Sequence, residues 1–409
     1  MNKHILAVML MLVFIASLSV NFAAAQDDTL VIWADENRAP ILEALGAQFT
    51  EEYGIPVTVT QLGFGDIRDQ LIIAGPAGEG PDILIGAHDW LGQLTADNLL
   101  APIELDEELA AQFSPVALQA FTQDGVLYGV PYAVENVAFF RNTELVPDAP
   151  ATWEEVRQIS EEIQESGAAQ YGFVYQNGDP YHFFGIQSAF GGYVFGQDEN
   201  GNYVASDLGV DSEGSVAALQ WMTDMVTDGV MPLTTGDEAT ALFESGDAAM
   251  MITGPWFLQR FRDAGVPFAI SDIPAGPDGN PGSPFLGVQA FMVNNFSDNV
   301  DLAIAFLTEY VATEETMVEL STVGTRPSAF IPANEVATDP DFAAFASAGA
   351  VGQPMPSIPE MGSVWGAWGS AISLALGGDN TPDEAFGAAA EAIRAEIEAT
   401  PEAEATTAP

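Results

Sequence analysis

The sequence has no cysteine. That absence excludes disulfide staples, thiolate metal ligands and a cysteine nucleophile, and it leaves no lipid-anchor cysteine to be expected at an export cleavage site. Lysine is almost as scarce. Lys3 is the single one, so a phosphate loop with its lysine is excluded. Three histidines, His4, His88 and His182, are too few for a histidine-rich metal site, although an all-carboxylate site stays open. No Gly-x-Ser-x-Gly nucleophile elbow occurs. Positive charge is scarce throughout: 9 basic residues face 59 acidic ones, a net charge of −50. Such a field repels phosphate backbones, so no nucleic-acid partner is expected. After residue 25 no stretch is long and apolar enough to span a bilayer.

Apolar residues, by contrast, make up 48% of the 409 residues. That is ample for a core without staples, and the length exceeds what a single core usually serves, so two domains are expected. Residues 1–25 read as a secretory signal: Lys3 is its positive end, Ile5 to Val20 its apolar run, and Ala23-Ala24-Ala25 its small-residue cleavage site. The alternative is an uncleaved anchor, against which the run is shorter than the ~20 residues a span needs. The expected product begins near Gln26 and is periplasmic or extracellular.

Strand and helix patterns alternate along the rest, which argues for an α/β fold with a largely parallel sheet. Leu30-Val31-Ile32-Trp33 is an apolar strand, with Trp33 a core residue. A helix follows with Ile41, Leu42, Leu45 and Phe49 on one face, and Gly54 stands at its C-cap. Pro56 to Thr60 and Asp82 to Ile85 are further strands. Val130 to Arg141 and Phe285 to Asn294 are extended, mostly apolar runs and candidate crossovers between domains. Thr152-Trp153-Glu154-Glu155 and Thr381-Pro382-Asp383-Glu384 are capping boxes. Tyr193 to Val204 reads as a hairpin; its acidic tip lacks the alternating acids and distal Glu of a calcium loop. Residues 401–409 have no periodicity and are expected to be disordered.

Several aromatics stand beside Gly, Pro or acids rather than inside apolar runs: Trp256 in Gly254-Pro255-Trp256, Trp365 and Trp368 after a proline-rich stretch, and Tyr181 in Gly178-Asp179-Pro180-Tyr181-His182-Phe183. Sugars offer flat C–H faces and a ring of hydroxyls, so aromatic platforms with carboxylates suit them. An ordinary core role is open to each of these rings. Paired carboxylates for glycoside hydrolysis are also open, but with 59 acids no pairing can be singled out.

Taken in order, a set of segments resembles the periplasmic maltose/maltodextrin-binding proteins, a group of the extracellular solute-binding proteins of ABC importers. The segments are Leu30-Val31-Ile32-Trp33, Gly80-Pro81-Asp82-Ile83 to Ala87-His88-Asp89, Pro131-Tyr132-Ala133-Val134-Glu135, Thr152-Trp153-Glu154-Glu155, Gly191-Gly192-Tyr193, Thr253-Gly254-Pro255-Trp256 and Met355-Pro356-Ser357-Ile358-Pro359. The similarity covers about residues 29 to 398. It implies two α/β lobes joined by a hinge of crossing strands, with a ligand cleft between them. One lobe would hold 26–134 and 287–336, the other 135–286 and 337–398, with 399–409 as a tail. It also implies that Glu135 and Asp89 accept sugar hydroxyls, that Asn37 and Arg38 reach into the cleft, that Asp179 and Tyr181 supply an acid and a stacking ring, and that Trp256 and Trp365 are platforms. The implied ligand is maltose or a maltooligosaccharide, and the implied partners are the membrane subunits of an importer. The implied protein is a monomer without cofactor, metal or catalysis. The sequence departs from enteric members at Gly86, Gly366 and Gly369, where those carry a tryptophan, a tyrosine and an arginine; Trp90 and Trp368 are candidates to compensate. Another oligosaccharide-binding protein, a secreted glycoside hydrolase and a sensor or adhesion module are the rival readings.

The negative charge suggests adaptation to salt, which screens self-repulsion over ~10 Å at 0.1 M. The urea midpoint is therefore expected to rise between low and high salt; a flat response would contradict that reading.

Overall fold

The computed structural model describes residues 29–199, 201–336 and 339–399. The signal segment, the cleavage site and the 401–409 tail lie outside the described residues.

The chain forms a mixed α/β structure built on two sheets. Strands β1 (Leu30–Ala34), β2 (Val57–Gln61), β3 (Ile83–Ala87) and β4 (Val130–Glu135) belong to the first. Strands β5 (Ala138–Asn142), β6 (Tyr171–Val174), β7 (Ala248–Thr253) and β8 (Phe268–Ser271) make the second, and β9 (Phe285–Val293) returns to the first. The first extended run thus carries the chain between sheets, changing at Asn136–Val137 between β4 and β5; the second run is β9 itself, and the return to the first sheet precedes it, between β8 and β9.

The sheets are mixed rather than largely parallel. β1 pairs in parallel with β2 and β3, and β7 with β6. The strands next to the sheet changes run the other way: β9 is antiparallel to β3 and β4, and β5 to β7 and β8. A strand that enters a sheet from the other half of the molecule needs no helical crossover, so the constraint that makes βαβ strands parallel does not act on it.

Every residue of β3 and β7 is buried, because both faces of each sheet are covered. On the first sheet, Ile83, Ile85 and Phe291 join one core and Leu84, Trp33 and Met292 the other. On the second, Phe139, Phe173 and Met250 face one side, Phe140, Val174 and Met251 the other. Helix α1 (Ala39–Tyr53) buries Leu42, Leu45 and Phe49 on the first sheet and ends at Gly54, whose φ of 75° suits glycine. Helix α2 (Phe64–Ala77) lines the same lobe.

Helix α3 (Trp153–Ser166) starts where expected, with Thr152 accepting from the Glu155 N–H at 3.2 Å, but Glu155 returns its carboxylate to Ala151 N–H rather than Thr152. Helix α4 (Pro180–Ala189), α5 (Glu213–Thr227) and α6 (Gly236–Ser245) follow; α6 carries a reciprocal box from Thr235 and Glu238 that the sequence reading passed over. Helix α7 (Glu314–Gly324) returns to the first sheet's side, while α8 (Val364–Leu376) and α9 (Pro382–Ala399) pack with α4 and α5. The box at Thr381 forms as read, with Thr381 N–H on Glu384 at 3.1 Å. The expected hairpin is present as Phe195–Gln197 against Tyr203–Leu208.

Gly369 shows how closely α8 packs. A Cβ there would stand 2.6 Å from the Gly178 carbonyl oxygen, in the turn before α4, whereas a Cβ at Gly366 meets nothing within 4 Å. Gly369→Arg is therefore expected to destabilise the protein by about 1–3 kcal/mol, the usual range for overpacking, and Gly366→Arg to change little. Urea unfolding of the two variants checks the contrast.

Candidate functional site

Where the two sheets meet, the floor of the site is a buried network of charges. Asp35 directly follows β1, one turn before α1, and that spacing lets Arg38 reach back to the Asp35 carboxylate through Nη1. Arg38 also donates through Nε to the Tyr132 hydroxyl at 2.5 Å and through Nη2 to Glu135 at 3.4 Å. Glu135, the last residue of β4, accepts from Gln289 Nε2 at 2.9 Å and from Arg326 Nε at 2.6 Å. Asp35, Arg38, Glu135 and Arg326 are all under 8% exposed. Two acids and two arginines leave the group electrically balanced, which is what permits its burial. Burial alone would raise the Asp35 carboxyl, but Arg38 and Arg326 hold it below the ordinary value; burial would lower Arg38, but Asp35, Tyr132 and Glu135 hold it well above.

Aromatic rings from the second sheet's side face this floor. Trp256 sits on the turn Pro255–Phe257 directly after β7. Tyr181 and His182 open α4, and their rings lie 6.3 Å and 5.8 Å from Trp256. Trp365 stands in the first turn of α8, 6.1 Å from Phe285. Trp256, Tyr181 and Trp365 are half-buried. Asp179 caps α4: it accepts from Tyr181 N–H at 2.8 Å and His182 N–H at 3.3 Å, and its other oxygen meets His182 Nδ1 at 2.6 Å. Burial would raise Asp179, but His182 and these N–H groups lower it.

Direct contacts join the two sides. Trp365 Nε1 donates to Asp89 Oδ2 at 2.9 Å. The Arg326 guanidinium lies over Trp256, 5.9 Å from the ring centroid. His88 Nε2 donates to the Met355 carbonyl at 3.2 Å, while Nδ1 accepts from Val288 N–H at 3.2 Å, which assigns the neutral tautomer; burial pushes this imidazole down to about 4. Burial pushes Asp89 up to about 6, opposed by Arg68 and the Trp365 N–H. Burial, then the carboxylates of Glu135, Asp179 and Asp89, hold the Tyr181 hydroxyl well above its usual range, so it stays a donor. Asp89 Oδ1, the Tyr181 hydroxyl, Gln289 Oε1 and Thr253 Oγ1 are buried and find no partner among the described residues.

Seven of the eight residues named from sequence fall in two groups. Asp89, Tyr181, Trp256 and Trp365 lie together where the two sides meet. Arg38 and Glu135 lie in the charged floor, engaged with protein groups, while Asn37 is half-buried beside them and donates its backbone N–H to Asp35 at 2.9 Å. Asp179 is turned into its own helix. The compensation expected from Trp368 is not there: that ring is fully buried among Phe183, Phe184 and Phe285 and adds no surface to the opening. Trp90 fills the space above Gly86, whose Cβ would lie 2.3 Å from the indole, and is itself 4% exposed behind Phe64. Gln289, Arg326 and His182 were missed. Arg326 had one signal, an arginine set between a helix end and Pro327 in a chain with few arginines.

Asp89 links the site to stability. Its folded value of about 6 lies above the ordinary 3.8, so the folded state binds the extra proton between those values. Above pH 6 the buried charge opposes folding. Asp89→Asn is expected to raise stability at pH 7.5 by at most about 3 kcal/mol, at 1.36 kcal/mol per pKa unit, with the gain fading as pH falls to 4. His88 acts with the opposite sign, its contribution present above 6.5 and lost toward 4, but it cancels between the two proteins. Thermal unfolding of both across this pH range checks it.

The profile of the bacterial extracellular solute-binding proteins matches residues 44–351. The galactooligosaccharide-binding protein of Bacillus subtilis is 29% identical over 391 residues, 92% of this chain and 91% of its own length. The maltotriose-binding protein of Pyrococcus abyssi is 28% identical over 359 residues, covering 85% and 77%. The maltooligosaccharide ABC transporter solute-binding lipoprotein of Streptococcus pneumoniae (strain R6) is 28% identical over 357 residues, covering 82% and 81%.

Proposed function

The chain belongs to the bacterial extracellular solute-binding proteins, and on that premise we propose that it binds maltose or short maltodextrins between its two lobes and delivers them to the membrane subunits of an ABC importer. The lobes follow the two sheets, with boundaries near Glu135, Phe285 and the segment after Val336. The observation that carries the sugar reading is the wall of half-buried rings, Tyr181, Trp256 and Trp365, set against buried polar atoms without partners, Asp89 Oδ1 and the Tyr181 hydroxyl among them. Rings suit the C–H faces of glucose units, and the unpartnered acceptor and donor suit their hydroxyls.

Asp89 and Trp365 are bonded to each other across the opening, so a sugar exchanges that contact for its own hydroxyl contacts on both sides. Binding then favours the closed arrangement through the extra contacts the sugar makes there. Glu135, with both oxygens engaged by Arg38, Gln289 and Arg326, acts through the floor, one lone pair of Oε2 being all it has left for a hydroxyl. No step of bond cleavage is assigned to any of these groups. The protein acts as an exported monomer without cofactor. A second reading, a galactooligosaccharide ligand, is favoured by the Bacillus relative that bears that name.

Calorimetric titration with maltose, maltotriose and a β-galactooligosaccharide separates the two readings, and product analysis after prolonged incubation separates binding from hydrolysis. Saturable maltotriose binding without released reducing ends is expected. Trp256→Ala is expected to weaken it by about 1–3 kcal/mol, the loss of one buried aromatic contact; an unchanged Kd removes Trp256 from the site.

A further inference from the structure

Trp256 is carried by the second lobe, yet the first lobe holds it as well. The segment after α7 belongs to the first lobe: Val134 N–H donates to the Pro327 carbonyl and Ala329 N–H to the Tyr132 carbonyl, so 327–329 runs along β4. Thr325, which ends α7, has φ 51° and ψ 40°. A β-branched residue in this left-handed region is unusual, since glycine takes it without strain. What distinguishes Thr325 is its hydroxyl, 2.8 Å from the Pro255 carbonyl and 2.8 Å from the Gly324 carbonyl. It bridges the first lobe's turn to the residue that opens the Trp256 turn, and Thr325 is 3% exposed.

Arg326 adds the second hold. Its Nε is fixed on Glu135 and its Nη1 on the Gly324 carbonyl at 3.2 Å, both within the first lobe. The guanidinium so fixed lies over the Trp256 ring. On the other side, Trp256 meets His182 edge-on at 86°, and His182 is set by Asp179. The indole is thus held from both lobes, and separating them leaves the ring contacts with His182, Tyr181 and Phe257.

We infer that Thr325 and Arg326 are positioning residues for Trp256, and that this hold from the first lobe, made before sugar arrives, fixes the platform and couples sugar affinity to the turn. The inference rests on the reading of Trp256 as a sugar platform. Thr325→Val keeps the shape and removes the donor; Thr325→Ser keeps the donor; Arg326→Lys keeps the charge and removes the flat face. Each is made with and without Trp256→Phe, so that the Trp256 fluorescence is obtained by difference. Two quantities are read: acrylamide quenching of Trp256 in the sugar-free protein and the Kd for maltotriose.

Thr325→Val and Arg326→Lys are expected to raise Trp256 quenching and to weaken maltotriose binding by about fivefold or more, the lower end of typical coupling. Thr325→Ser is expected to restore both. Unchanged quenching in both Thr325→Val and Arg326→Lys overturns the inference whatever the sugar proves to be. Raised quenching with an unchanged Kd overturns the coupling. If Trp256→Phe alone leaves the maltotriose Kd unchanged, the platform reading fails and the coupling with it, while the quenching series still decides whether the turn holds the indole.

Discussion

Glu135 accepts from Arg326 through one oxygen and from Arg38 and Gln289 through the other, at the last residue of the strand that leaves the first sheet. Three residues later the chain is in the second sheet. Removing four charges from water is costly, and their mutual attraction offsets that only while every partner is in place. The network therefore fixes the point at which the chain changes sheets and the position of Arg326 under Trp256. It also fixes Arg38, whose guanidinium lies 5.1 Å over Phe64. A chain with eight arginines and 59 acids has placed two of them here rather than on its surface.

That placement bears on the acidic surface. Self-repulsion acts on the exterior, where salt screens it, whereas the floor of the site is balanced within itself and shielded from solvent. The opening above it inherits the remaining tension: Asp89 is buried beside one indole N–H and held near 6. Stability alone would favour an uncharged residue there. An acceptor kept at such a place, next to a tyrosine hydroxyl without a partner, is what a polyhydroxyl ligand requires.

The two extended runs were legible because both are apolar and flanked by turn signals, features that depend on local sequence alone. Helix α1 with its C-cap and the Thr381 box were legible for the same reason. The antiparallel course of β9 and β5 was not, since strand direction follows from which half of the molecule the chain arrives from. At the site, ring types and carboxylates could be named, but their directions could not. Trp368 and Trp365 are three residues apart on one helix, yet one is fully buried and the other half-exposed. The Arg326 contact with Glu135 spans 191 residues, and no local pattern encodes it. Asp179, read as an acid facing the cleft, obeys a local rule instead: an Asp before Pro180 at a helix start is an N-cap.

The central claim is that an oligosaccharide binds between the lobes, with rings on one side and Asp89 on the other. A crystal structure of the protein grown with maltotriose tests it most directly. Glucose units stacked on Trp256 and Trp365, with a hydroxyl on Asp89 in place of the Trp365 N–H, are expected. Sugar bound elsewhere on the surface, with the Asp89–Trp365 hydrogen bond intact, would contradict it.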